Sequence, residues 1–451
     1  MLEKQFHLKE HGTTVHTEII GGITTFLSMA YILAVNPSIL GAVMDPGGVF
    51  AATALASGVA TLVMALYANY PIALSAGLGV NAYFAYTVCL GELGGAEGAF
   101  RIALTAVLVE GIIFIIMSFF KIREQIVNSI PENLKFGITC GIGLFITFIG
   151  FVNAGIVIND DATLVGLGSL KTAEVALALI GFLIIITLIH YNVTGAVLIG
   201  IILTWILGMI AQSIGWYQGV SVFPDFSGGF VANLSGLQNT AFKFDFAWAI
   251  KNLPQFVAIV FAFLYVDLFD TVGTVVGVAD KAGLLDEDGN IPRVGRIFFS
   301  DAIGTVTGAC LGTSTITSFV ESSAGVGAGA KTGLASVVTG LLFLVSILLS
   351  PVFLAVPSFA TAPALIYVGM LMISSAKKIN YDGDLADTVG AFLALAMMPL
   401  TYSIATGIMF SVMSWVLLKV FTGKAKDISP VMWVVFVLFA LRIAALVTNF
   451  M

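Results

Sequence analysis

Apolar stretches long enough to cross a bilayer's hydrocarbon core, roughly 17 to 25 residues each, recur along nearly the whole chain. They fall at 18–40, 49–68, 71–90, 99–118, 134–152, 173–190 and 192–213. After a polar connector at 214–245 they resume at 247–279, 296–311, 312–330, 332–354, 359–376, 386–402 and 403–421. These make two sets of seven, spans 1 to 14. A further apolar stretch at 428–450, interrupted by Arg442, is either an extra span or an interfacial helix. The pattern predicts an all-α polytopic membrane protein. An odd number of crossings separates corresponding spans, so the second set lies upside down relative to the first, as in the inverted repeats of many secondary transporters.

The third span of each set breaks the helical pattern. In the first set, 70–86 reads YPIALSAGLGVNAYFAY, with Pro71 early and glycines at 77 and 79; in the second, 312–333 reads GTSTITSFVESSAGVGAGAKTG. The latter opens with a β-branched, hydroxyl-rich run and turns small and helical only after Glu321. A short extended stretch followed by a half-helix is expected in both. Such backbone is tolerated at membrane depth only where it lines a cavity, and paired interruptions mark a transporter's binding site.

Composition agrees: 59% of the 451 residues are hydrophobic and 10% charged, against about a quarter charged in a soluble chain. The polar start at 1–17 lacks the order of a secretory signal, so the first span is expected to insert the protein. Cys89, Cys140 and Cys310 lie in apolar stretches without paired or metal-ligand spacing and read as packing residues. The formal net charge of -7 matters less than where the charges fall. With a cytoplasmic N-terminus, fourteen of the nineteen basic residues collect inside: Lys4, Lys9, Lys121, Arg123, Lys135, Lys281, Arg293, Arg296, Lys331, Lys377, Lys378, Lys419, Lys424 and Lys426. Arg101, Lys171, Lys243 and Lys251 fall outside. This bias supports the orientation and the even span count.

A charge near the bilayer centre costs about 2.5 to 3.5 kcal/mol on insertion scales, so each deep carboxyl needs a reason. Asp267 and Asp270, in FLYVDLFDTVGT, are spaced to share a helix face. Glu321 opens the expected half-helix, where a helix N-terminus favours negative charge. Asp301 is either a functional carboxyl or a boundary residue near Arg293 and Arg296. Asn81 occupies the corresponding place in span 3, offering either an amide to a planar ligand or turn chemistry after Gly79. Phe319 either stacks on a flat ring or packs.

Carboxylates, an amide and hydroxyls without a deep Lys or Arg disfavour an anion carrier. They fit a neutral heterocycle with several N–H and carbonyl groups, carried along a pathway that takes up protons. The four histidines, 7, 11, 16 and 190, fall outside this set, so a carboxyl should carry the proton. GVGAGAKT resembles a phosphate loop, but Ala330 occupies the glycine position before the lysine and no nucleotide-binding fold surrounds it. No ATP, metal, other cofactor or nucleic-acid partner is expected. An intramembrane aspartyl hydrolase is the rival reading, but its dyad needs carboxyls from different elements, whereas Asp267 and Asp270 are neighbours.

GGITTFLSMAYILAVNP, SAGLGVNAYFAY, VDLFDTVGT, GTSTITSFVESSAGVGAGAKTG, TAPALIYVGMLM and MMPLTYSIATG together resemble the AzgA-like adenine, guanine and hypoxanthine permeases of the nucleobase–ascorbate transporter superfamily, over about residues 10 to 425. The resemblance is nearest to the bacterial hypoxanthine/guanine permeases. It implies proton-coupled purine uptake across the cell membrane by an elevator, with hypoxanthine and guanine ahead of adenine and a xanthine or pyrimidine carrier as the alternative. It implies a core domain from 18–118 and 247–354 and a gate domain from 134–213 and 359–421; the apolar stretch at 428–450 adds an extra helix beyond it. Homodimers are common in the family. By resemblance, Asp267, Glu321 and Asn81 bind substrate, Asp270 matches the second aspartate of span 8 and Asp301 an acidic position that supports the site; from the residue pattern itself, Phe319 is expected to join the substrate site and Asp270, Asp301 and Asp267 to serve proton coupling. The proton-linked histidine of the uracil branch has no counterpart, since Thr271 stands in its place.

Overall fold

The computed structural model of the protein describes residues 2–119, 130–227, 232–284 and 291–447. Lys121 and Arg123, assigned to the cytoplasmic side, and residues 448–450 of the last apolar stretch lie outside these. The fourteen expected spans are present, two of them irregular as the sequence requires. The first set is Val15–Met29 continued by Ile32–Leu40, Pro46–Val63 continued by Met64–Ala68, the broken span 3, then Ala99–Phe119, Glu132–Asn153, Ala173–His190 and Ala196–Ser213. The second set is Leu253–Lys281, Val294–Leu311, the broken span 10, Gly333–Val345 continued to Leu354, then Ser358–Ile373, Leu385–Leu400 and Ile404–Phe421. Nine helices among the described residues are long and apolar enough to cross a membrane unaided.

Helix starts follow local chemistry. Asp45 precedes Pro46 at the head of span 2, and its carboxylate accepts from the Gly48 amide at 2.7 Å, satisfying one orphan donor while the proline needs none. At one end of spans 13 and 14, the Asp384 cap accepts from Lys419 at 2.9 Å and Lys424 at 2.7 Å, which joins the two spans. Hydrogen bonds from Lys424 and then Lys419 hold the Asp384 carboxyl well below the usual carboxylate range.

The helices pack in two groups. Span 5 lies against 12 and 13, 13 against 14, and 6 against 7 and 12; span 9 lies against 2 and 4, and span 11 against 1 and 2. The helix Pro430–Val447 covers spans 14 and 8. Its buried Phe439 ring sits 5.2 Å from Phe261 and 6.2 Å from Tyr265, two residues before Asp267. Val434, Val437 and Leu441 on this helix are exposed, an apolar face suited to lipid.

The phosphate-loop look-alike has a structural task. Its backbone amides at Lys331 and Thr332, with that of Ala335 in the helix that follows, donate to the fully buried Glu18 carboxylate at 2.8, 3.3 and 3.2 Å. A helix N-terminus that would suit an anion thus holds a carboxylate of the chain's own span 1. Span 1 also presses on span 10 at Gly325, where a Cβ would lie 2.1 Å from Thr25 Oγ1 and 2.4 Å from the Gly21 carbonyl.

Candidate functional site

The two broken spans meet strand to strand. Leu74–Ala76 of span 3 pairs antiparallel with Ile316–Ser318 of span 10, Leu74 opposite Ser318 and Ala76 opposite Ile316. The Gly77 amide donates to the Thr315 carbonyl at 3.1 Å, and the Phe319 amide to Ala73 at 2.9 Å, extending the ladder at both ends.

A two-stranded ribbon leaves edge groups that water would satisfy elsewhere and that hydrocarbon cannot. Hydroxyls from the preceding span in each half supply them. Thr61 of span 2 donates to the Leu74 carbonyl at 3.1 Å, and Thr305 of span 9 donates to the Ile316 carbonyl at 3.1 Å. The same residue type from corresponding spans serves the two strands, as expected of an inverted repeat.

Beyond the strands, span 3 continues as Leu78–Ala82 and a wider π-helical run, Tyr83–Glu92, while span 10 continues as Ser322–Gly327 with Glu321 at its head. Glu321 is partly exposed, and its Oε1 accepts from the buried Tyr31 hydroxyl at 2.5 Å. Tyr367 of span 12 is near enough to interact electrostatically with the same carboxyl. Asn81 is fully buried and accepts from the Ser314 hydroxyl just before the second strand. Phe319 lies within the main apolar cluster, and its exposed neighbour is Val320.

Asp267 and Asp270 part company. Three residues turn a helix by about 300°, so the two side chains diverge by some 60° and find different partners. Asp267 faces span 9, and Thr271, one turn on along span 8, has its Oγ1 3.1 Å from both Asp267 Oδ1 and Asp301 Oδ2 of span 9. Asp270 reaches span 3, its Oδ2 lying 3.2 Å from where a Cβ on Gly77 would stand. Asp267 and Asp301 are fully buried, whereas Asp270 is partly exposed. Ser318 donates to Asp301 Oδ1 at 3.4 Å, which places Asp301 in the cluster and away from a boundary role.

Sequence reasoning does not single out Glu110 or Tyr31, and it marks the hydroxyls at 314, 315 and 317 only as part of the run that opens span 10. Glu110 is fully buried in span 4 and accepts from Thr315 at 3.0 Å. Its lone carboxyl in LTAVLVEGIIFIIM is a signal in principle; a tyrosine or threonine among apolar residues gives none.

Carboxyls, an amide and hydroxyls gathered where two broken spans cross make a polar site suited to binding and release. Residues 16–410 match the model of a permease family. The chain belongs to this permease family. The family's members carry solutes across membranes, so the protein is a carrier and the hydrolase reading falls. This permease is 42% identical to the adenine permease AdeP of Escherichia coli over 98% of its own length and 96% of the relative's. It is 44% identical to the guanine/hypoxanthine permease PbuG of Bacillus subtilis over 97% and 98%. Its fold matches the transmembrane domain of the cyanobacterial bicarbonate transporter BicA, with a TM-score of 0.65 at 12% identity over 87% of this chain and 97% of that one. It also matches SLC26A9, with a TM-score of 0.66 at 13% identity over 93% and 67%.

Proposed function

We propose that this permease takes purine nucleobases into the cell together with protons, hypoxanthine and guanine ahead of adenine. The observation that carries the substrate class is the polar lining at the strand crossing. Glu321 accepts hydrogen bonds at a reachable half-helix head, Tyr31 reinforces it, and Asn81, Ser314 and the threonines supply donors and acceptors nearby. A purine's edge carries N–H groups and ring or carbonyl acceptors, which such a set complements without a cation. Relatives named as adenine and guanine/hypoxanthine permeases support the same class.

Coupling is assigned to the carboxyls. Glu321 and Asp267 bind the base, with Asn81 and Phe319 shaping the site, while Asp270, Asp301 and Asp267 handle the proton. Asp270 is the partly exposed member and so the point of proton exchange with water. The two helix groups act as gate and core of an elevator, the core group carrying both broken spans. Labelled hypoxanthine uptake by cells expressing the protein should be outcompeted by guanine and unaffected by millimolar sulfate or bicarbonate. Strong sulfate competition would point to a cationic site and end the neutral-base reading. The charge bias supports a cytoplasmic N-terminus. A cysteine replacing Asp161 in a cysteine-free background should react with an impermeant maleimide from outside, and one at Lys424 should not; the reverse would invert the topology.

A further inference from the structure

We infer that Thr271 is a positioning residue that makes Asp267 and Asp301 share one proton across the interface of spans 8 and 9. The inference rests on the proton-coupled reading and deepens it.

Thr271 Oγ1 has three oxygen neighbours: Asp267 Oδ1 at 3.1 Å, Asp301 Oδ2 at 3.1 Å and Thr317 Oγ1 at 2.8 Å. A hydroxyl has one hydrogen and two lone pairs. If it donates to one aspartate, it must accept from the other two neighbours; Thr317 can donate its own hydrogen, but the second aspartate can donate only when protonated. If Thr271 instead donates to Thr317, both carboxyls must be protonated. Two ionised aspartates would leave an acceptor facing a lone pair at 3.1 Å in a fully buried site, which is costly. Three hydrogen bonds around Thr271 therefore require at least one proton on the pair. With one proton, Thr271 can donate to either aspartate while the other holds the hydrogen.

The surroundings set the charge against which this proton is held. Span 8 brings Asp270, span 4 brings Glu110 through Thr315, span 10 brings Glu321, and span 1 adds Tyr31 on Glu321. All are acids or phenols, so the cluster gains only repulsion by ionising further. Thr317 and Ser318 belong to the strand of span 10, four and three residues before Glu321. The proton pair and the base-facing carboxyl are thus tied to one short ribbon, which links protonation to the geometry of the substrate site.

The test compares wild type, Thr271→Val, Thr271→Ser and Thr271→Cys. Hypoxanthine binding to detergent-solubilised protein is measured by calorimetry across pH and in buffers of different ionisation enthalpy, which counts protons exchanged on binding. Wild type should bind with a pH-dependent affinity. Valine removes the bridge, and the fall-off should move to lower pH by about one unit, because the singly protonated pair loses a hydrogen bond that the doubly ionised pair cannot make, and such a bond is worth about a tenfold change. Serine should restore the wild-type profile, and cysteine, a weaker donor that fits the site should valine not fold, should fall between. A valine or cysteine variant with the wild-type profile and proton count overturns the role of Thr271 while proton coupling stands. Wild-type uptake indifferent to an imposed proton gradient overturns the coupling itself, and the shared proton with it.

Discussion

Replacing Glu321 by glutamine should weaken hypoxanthine binding by about tenfold or more, since a hydrogen bond to a charged group is worth roughly 1.5 to 3 kcal/mol and each 1.4 kcal/mol is a factor of ten. Glu321 is the carboxyl best placed to meet a ligand: it heads the half-helix Ser322–Gly327, is partly exposed, and stands beside the exposed Val320. Glutamine keeps the shape and an oxygen to accept from Tyr31, so the fold should survive; what is lost is charge. Two donors converging on a carboxylate, one from Tyr31 and one from the purine edge, form stronger bonds than they would to a neutral amide. Calorimetry on detergent-solubilised protein reads the change, and wild-type affinity in the variant would remove Glu321 from the base-binding role.

Asp270→Asn should leave that affinity within about threefold, under 1 kcal/mol, yet abolish most proton-driven accumulation. Asp270 lies beside Gly77 of span 3 and within electrostatic reach of Glu321, but it is Glu321 that accepts from Tyr31, so Asp270 is assigned to the proton and not to the base. Asparagine preserves size and hydrogen bonding but cannot take a proton. With the partly exposed member of the cluster fixed neutral, the buried Asp267–Thr271–Asp301 group loses its exchange point with water. Binding by calorimetry and accumulation in liposomes under an imposed pH gradient separate the two effects. Equal loss of both would place Asp270 in the substrate site.

The spans were legible because a bilayer demands long apolar runs, and the helices begin and end within a few residues of them. Spans 3 and 10 were legible as irregular because Pro71, the glycines and the β-branched run contradict a lipid-facing helix. Their pairing register was not, since three residues per strand carry too little alternation to fix Leu74 against Ser318. Asp267, Asp270, Asp301 and Glu321 stand out as carboxyls among apolar residues. The different aims of Asp267 and Asp270 do not, because a 60° divergence matters only once the facing spans are known. Thr271 is the extreme case. In the sequence it is a histidine's replacement, and its bridging position depends on Asp301, thirty residues on, and Thr317 on another span. Glu18 shows the reverse: GVGAGAKT suggests a ligand's phosphate, but the acceptor is a carboxylate more than three hundred residues earlier in the same chain.

The most direct test of the account is uptake of labelled hypoxanthine into proteoliposomes of the wild-type protein, with and without an imposed inward proton gradient. The account predicts saturable uptake that rises above equilibrium only with the gradient and collapses when a protonophore is added. Accumulation against concentration that is the same without the gradient, or no saturable purine uptake at all, would contradict it.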